Sequence, residues 1–299
     1  MSNLWQYYVL KSISRLVCLL PYSWVLALGN QVGRLYYHIA SRQRNRALQQ
    51  MQECLGVSVE VAQGKITSLF RKLGQTFFEV LYIPAVTPEK MQEYVTFENR
   101  HYLDDALKEG KGVILLAAHI GNWEWLGASL AMAGFPVASV VKSQPNDQHT
   151  RIINEYRQMA GIELFTRGTT ELISAARALK QGRIIGLLAD QDAGPNGLFI
   201  EFLGKMSATP LGPTVFAKKF KVPVIPIFIV RNPDKGHRVM MHEPLYFEDT
   251  GKENEDTYNF TVKLTAIIES TIRQYPDEWL WFQKRWNTSM PEERDGEQV

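Results

Sequence analysis

Apolar residues follow two regimes along the chain, and the change falls near Pro84. Before it they recur at helical spacing, through Val32, Leu35, Tyr36 and Ile39 and again through Ile66, Phe70, Leu73, Phe77 and Val80, so residues 1–90 read as helices. Beyond it, short runs rich in valine and isoleucine alternate with helical stretches. The runs span 112–118, 136–141, 183–189 and 222–230, with 239–245 as a further strand. Helical patterns occupy 123–134, 147–160, 169–181, 210–220 and 256–275. Such alternation predicts an α/β fold, a mostly parallel central sheet flanked by helices. No repeat, low-complexity tract or Gly/Ser linker divides it. Residues 41–290 are therefore expected to form one compact unit with the N-terminal helices of 1–40, and 291–299 a disordered tail.

The N-terminal stretch changes this picture most. From Leu16 to Gly33 there is no charge, close to the lower limit of about 18 residues for a spanning helix. Pro21, Ser23, Asn30 and Gln31 interrupt it, and no small-x-small cleavage site follows. Trp5, Tyr7, Tyr8, Tyr22 and Trp24 suit a lipid–water boundary, where an amphipathic ring keeps one wet edge. A membrane-associating helical layer, lying on or crossing the bilayer, is expected; two buried helices packing on the domain are the alternative. Arg34, Arg42, Arg44 and Arg46 follow, and by the positive-inside rule they place the bulk of the protein in the cytoplasm. With 45% hydrophobic and 21% charged residues the chain can bury a core, and a net charge of +2 gives no reason to expect nucleic acid. Cys18 and Cys54 lack metal or redox spacing.

Candidate chemistry collects at two strand ends. The run 112–118 leads into His119, after which Gly121 and Asn122 break the strand and a helix begins near Trp123. Ligands of open α/β sheets bind outside the carboxyl ends of the strands. Across a strand–turn–helix junction His119 and Glu124 can face each other, and a carboxylate that orients an imidazole makes a general base. A histidine capping a helix, or satisfied in the core, would show the same spacing. The run 183–189 ends likewise in Asp190-Gln191-Asp192, then a Gly/Pro turn. Asp-x-Asp could hold a divalent cation or simply build the turn; without further ligands at loop spacing, no metal site is expected. Arg167, just before a helix, is a candidate carboxylate or anion clamp, or a surface arginine. Lys142, Arg151, Arg157, Lys284 and Arg285 could receive phosphates or an acidic partner, though each alone reads more simply as a solvated charge. No Gly-x-Ser-x-Gly, His-Glu-x-x-His, Walker or Gly-x-Gly-x-x-Gly sequence occurs, which argues against a hydrolase elbow, a zinc protease and a nucleotide site.

Four blocks together resemble the bacterial lipid A biosynthesis (late) acyltransferases, within the wider His-x4-Asp/Glu acyltransferase group. They are Ala118-His119-Ile120-Gly121-Asn122-Trp123-Glu124, Asp190-Gln191-Asp192-Ala193-Gly194, Val222-Pro223-Val224-Ile225-Pro226, and the closing segment from Pro276 to Asn287. The resemblance runs from about Trp5 to Asn287. It implies transfer of a fatty acyl chain from an acyl carrier protein thioester to a hydroxyl of a lipid A precursor, an anionic glycolipid, without a cofactor. It maps the family's essential residues onto His119, Glu124, Arg167 and Asp190. His119 would be the base and Glu124 the residue holding its ring, with backbone N–H groups near Gly121 receiving the oxyanion. Arg167 and Asp190 would bind acceptor or organise the site, alongside Lys142, Asn122 and Gly121. The chain departs from the family in two places. Val141-Lys142-Ser143 stands where Tyr-Arg-Pro is common, and Gln283 where a histidine is common. Acylation of another glycolipid or of a lysophospholipid, or glycolipid binding without catalysis, are the alternatives.

Overall fold

The computed structural model describes residues 4–141, 148–166, 171–232 and 236–290. The expected alternation is present. Helices α1 (Leu4–Val17), α2 (Tyr22–Ile39), α3 (Ser41–Leu55) and α4 (Val59–Tyr82) form the N-terminal layer, and a short α5 (Pro88–Tyr94) leads into the sheet. The strands are β1 (Val95–Glu98), β2 (Val113–Ala117), β3 (Val137–Val141), β4 (Glu163–Thr166), β5 (Ile184–Leu188), β8 (Val224–Arg231) and β9 (His237–Met241). They stand in the order β1-β9-β8-β2-β5-β3-β4. Every neighbouring pair is parallel except β8–β9. Between the strands run α6 (His101–Lys108), α7 (Trp123–Met132), α8 (Gln148–Met159), α9 (Glu171–Lys180) and α10 (Gly212–Phe220), and α11 (Glu253–Gln274) follows the last.

The central strand β2 is buried at all five positions, which is why Val113–Ala117 reads as an unbroken apolar run rather than an alternating one. Three features escape the periodicity. Strands β1 and β4 have four residues each, too short for a period to register. The hairpin β6 (Leu198–Phe202) and β7 (Lys205–Thr209) turns on Leu203 and Gly204, both at positive φ, without an Asn-Gly or Asp-Gly signal. The strand expected at 239–245 begins and ends earlier, and Leu245 contributes only an isolated bridge to Val224.

The N-terminal helices pack on the domain while leaving a second apolar face uncovered. Helix α2 crosses α4 at backbone contact: a Cβ on Gly74 would fall 2.1 Å from the Gly29 carbonyl oxygen, and one on Gly33 would fall 2.2 Å from that of Phe70. Tyr22, Val25, Gly29 and Gly33 form the buried stripe. Trp24, Leu28, Val32, Leu35 and Ile39 form another, roughly 100° away at 3.6 residues per turn, and it is exposed. Trp5, Tyr8 and Leu16 of α1, and Leu19 just after it, are exposed as well. Among the described residues no helix is long and apolar enough to cross a membrane. The polar interruptions at Pro21, Asn30 and Gln31 account for that. The expected tail, 291–299, lies outside the described residues.

Candidate active site

The register of the sheet brings the two strand ends together. Strands β2 and β5 are adjacent and parallel, with Ala117 opposite Leu188. His119 and Asp190 each stand two residues beyond that last pair, so the two side chains leave the same edge side by side. His119 Nδ1 lies 2.8 Å from Asp190 Oδ1, and the His119 backbone N–H donates to Asp190 Oδ2 at 3.0 Å. Two side chains of the closing segment hold the carboxylate from the other side. Trp279 Nε1–H donates to Oδ2 at 2.8 Å, and Gln283 Nε2 donates to Oδ2 at 3.2 Å and to the Asp190 carbonyl at 3.3 Å. Asp190 is fully buried, and Trp279 with it.

The charges reinforce one another. Burial alone would push the Asp190 carboxyl up, but the His119 ring and the N–H donors hold it down at about 2. Burial opposes a charge on His119, and the Asp190 carboxylate overrides it, raising the ring above the ordinary histidine range, with a smaller push from Glu124. A carboxylate on Nδ1 fixes the proton there and leaves the Nε2 lone pair for chemistry; this tautomer is assigned from the hydrogen bonds. The Gln191 amide nitrogen, 3.4 Å away, is the group nearest to Nε2 in the bonding network. The Trp123 ring stands edge-on to the imidazole, centroids 5.0 Å apart.

This arrangement corrects the role expected of Glu124. Its carboxylate is not hydrogen-bonded to the ring; it takes a bidentate pair from Arg157, at 2.7 Å from Nε and 2.6 Å from Nη2. From the first turn of α7 it points toward α8, so its influence on His119 is through space. Nor is the Gly121 N–H free to serve as the oxyanion donor expected near it. It is spent on the Glu278 carbonyl at 2.9 Å, and the glycine's φ of +59° sets a turn so tight that a Cβ would meet the Ile229 carbonyl at 2.1 Å. Asn122 caps α7: its Oδ1 accepts from Trp125 N at 3.0 Å, and its Nδ2 donates to Glu79 Oε2 at 2.8 Å. Arg167 and Lys142 lie outside the described residues. Arg285, expected as a solvated charge, is fully buried instead.

Glu79 is the residue that the sequence hid. Fully buried on α4, it accepts from Tyr22, Asn122, both terminal nitrogens of Arg231, and His237 Nε2, at 2.6–3.0 Å. These partners lie up to 158 positions away in the chain, so no local spacing announces them. Through Asn122 the network ties the helical layer to the turn that carries His119.

Two apolar cavities meet beside the site. One, with about 600 Å³ of empty space partly open to solvent, lies between α7 and the sheet against Leu115, Leu126, Leu130, Val137 and Ile162. The other, about 790 Å³ measured the same way, lies under the helical layer against Leu10, Leu73, Phe77, Val80 and Ile152. Trp123 and Glu124 border both. The described residues contain no group of three or more His, Cys, Asp or Glu suited to a metal.

The comparisons with known proteins agree with this geometry. The chain is 26% identical to a phosphatidylinositol mannoside acyltransferase of Mycolicibacterium smegmatis over 72% of its own length and 70% of that protein. It is 25% identical to a lipid A biosynthesis acyltransferase of Haemophilus influenzae over 95% of its length and 87% of that protein. It is 22% identical to a lipid A biosynthesis palmitoleoyltransferase of Escherichia coli K12 over 90% of its length and 87% of that protein. A family model, bacterial lipid A biosynthesis acyltransferase, matches residues 1–288, and an enzyme with this sheet, this strand-end histidine and this span belongs to that family of acyltransferases.

Proposed function

We propose that the protein transfers a fatty acyl chain from an acyl carrier protein thioester to a hydroxyl of an anionic glycolipid of the lipid A type, with His119 as general base and Asp190 as its orienting carboxylate. The observation that carries the reading is the 2.8 Å contact between Asp190 Oδ1 and His119 Nδ1, which leaves Nε2 turned outward. No acyl-enzyme is needed. Nε2 takes the proton of the acceptor hydroxyl as its oxygen bonds to the thioester carbonyl carbon. The tetrahedral intermediate collapses with cleavage of the C–S bond, and the imidazolium returns the proton to the departing thiolate. Asp190, anionic throughout, stabilises the imidazolium that forms in between. In the first turn of α7 Asn122 already holds the Trp125 and Leu126 N–H groups, so those of Trp123 and Glu124 take the developing oxyanion in place of the committed Gly121 N–H.

The cavity between α7 and the sheet takes the donor's acyl chain. Its lining is mostly apolar, and it opens beside Trp123. The exposed stripes of α1 and α2 rest in the plane of the inner membrane on its cytoplasmic side, as amphipathic helices do, and give the enzyme access to a lipid acceptor. Flotation with anionic vesicles tests the membrane contact; protein that stays at the bottom of the gradient with every lipid composition would end it. The reaction is tested by supplying acyl-loaded carrier protein with either a lipid A precursor or a phosphatidylinositol mannoside. Transfer to the former alone is expected, and transfer to neither would refute the proposal. The mannoside arm is included because the Mycolicibacterium smegmatis relative carries that name.

A further inference from the structure

A third cavity differs in kind from the two apolar ones. It lies between the turn after β5 and the closing segment, lined by Gln191, Asp192, Gln283, Lys284, Arg285 and Asn287, with about 480 Å³ of empty space partly open to solvent. All six lining residues are polar or charged. Three of them keep buried atoms that bond to nothing among the described residues: Asp192 Oδ1, Gln283 Oε1 and Arg285 Nε. The rest of each group is firmly held. Asp192 Oδ2 accepts from Thr288 at 2.7 Å, and Gln283 Nε2 is committed to Asp190. Arg285 donates to the Ala208 carbonyl and to Thr209 Oγ1, both at 2.7 Å, with its guanidinium over the Phe202 ring. Leaving a buried polar atom without a partner is costly. Held side chains with open valences therefore describe a site built for a polar ligand.

We propose that this cavity is the subsite for a sugar ring of the acceptor lipid, which rests on the glycolipid reading above and deepens it. The open valences are two acceptors and one donor, with the Lys284 ammonium and the Gln191 and Asn287 amides at the rim. Adjacent ring hydroxyls each donate and accept, and so satisfy such a mixed set. A phosphate, which at neutral pH mainly accepts, would meet the Asp192 carboxylate and the Gln283 carbonyl head-on. A hydrocarbon chain would leave all three open. The place is right as well: Gln191 reaches to within 3.4 Å of His119 Nε2, and Gln283 touches the Asp190 carboxylate. A ring seated here presents its substituents to the base.

Asp192→Asn and Asn287→Ala test the subsite, since neither residue touches His119 or Asp190. Steady-state kinetics should show KM for the glycolipid acceptor raised tenfold or more in Asp192→Asn, with kcat and the donor KM within threefold of the parent. Ligand-observed NMR on the intact protein, with methyl α-D-mannopyranoside, glucosamine and inorganic phosphate as probes, should show saturable binding of a sugar that Asp192→Asn abolishes and phosphate does not displace. A fall in kcat at constant acceptor KM would overturn the proposal, because the cavity would then act through the dyad. So would phosphate binding in the sugar's place, or no saturable sugar binding at millimolar concentration. The binding arm needs no turnover. If acyl transfer fails while the sugar still binds, the reaction assignment falls and the subsite stands.

Discussion

Asp190→Asn separates a carboxylate that orients a base from one that merely anchors a loop. The parent side chain receives three donors on Oδ2, from His119 N, Trp279 Nε1 and Gln283 Nε2, and a single one on Oδ1, from His119 Nδ1. An asparagine keeps one acceptor oxygen. Placing its NH2 at the Oδ2 position would oppose three donors, so the amide nitrogen takes the Oδ1 position and donates to Nδ1. The ring proton must then move to Nε2, which removes the lone pair that the acceptor hydroxyl needs. In a serine-protease triad the corresponding change lowers kcat by about 10⁴, or about 5 kcal/mol of barrier, and a similar loss is expected here with little change in either KM. The pH profile adds a second readout. The parent's activity requires a neutral ring whose pKa is raised, so it should climb as pH passes through a value above the ordinary 6.5. In the variant the rise should be absent, because a misplaced proton is not cured by alkali. Single-turnover acyl transfer across pH 5.5–9 measures both, and circular dichroism checks the fold. A folded variant within tenfold of the parent rate would refute the orienting role.

The remaining predictions reach other parts of the molecule. His119→Ala should raise the barrier by roughly 3–5 kcal/mol without unfolding the protein. Glu124→Gln, off the ring and paired with Arg157, should cost less than about half as much by the same rate assay. Gly186 lines the cavity between α7 and the sheet, and a Cβ there would have nothing within 4 Å, so Gly186→Val should fill the space and shift donor preference to shorter acyl chains by about 10–200-fold in kcat/KM. Unchanged preference in a competition between carrier-bound donors would remove the acyl chain from that cavity. Glu79→Gln should cost about 3–5 kcal/mol by urea denaturation, because Arg231 loses its buried partner. Burial works against the Glu79 charge, yet Arg231 and His237 hold its carboxyl well below 4.5. Its contribution is therefore present above that unfolded value and lost as pH falls toward the folded one, so the difference between parent and variant should shrink below about pH 4.5.

Much of the fold was legible because buried parallel strands write themselves as continuous valine and isoleucine runs, as at Val113–Ala117. Strands β1 and β4, at four residues, were too short to write anything. At the site, His119 and Asp190 were both visible as strand ends, but which carboxylate faces the ring depends on β2 and β5 being neighbours in register. Sequence proximity favoured Glu124, five positions from His119; the sheet favoured Asp190, 71 positions away. Trp279 lay in a recognised block without a visible role, since its indole meets Asp190 only after the closing segment folds back. The expectation of a solvated Arg285 failed for a related reason: the carbonyl and hydroxyl that hold it sit on β7, 76 and 77 positions upstream.

The pairing of Ala117 with Leu188 also bears on how such an enzyme can diversify. Reactive geometry is gauged here by backbone ladders deep in the sheet, whose spacing no surface loop can alter. The apolar cavity under the helical layer and the exposed stripes of α1 and α2 are built from other stretches. Substitutions that retune what is recognised therefore need not pass through inactive intermediates. Relatives that carry different names, one for lipid A and one for phosphatidylinositol mannosides, are in keeping with such a division.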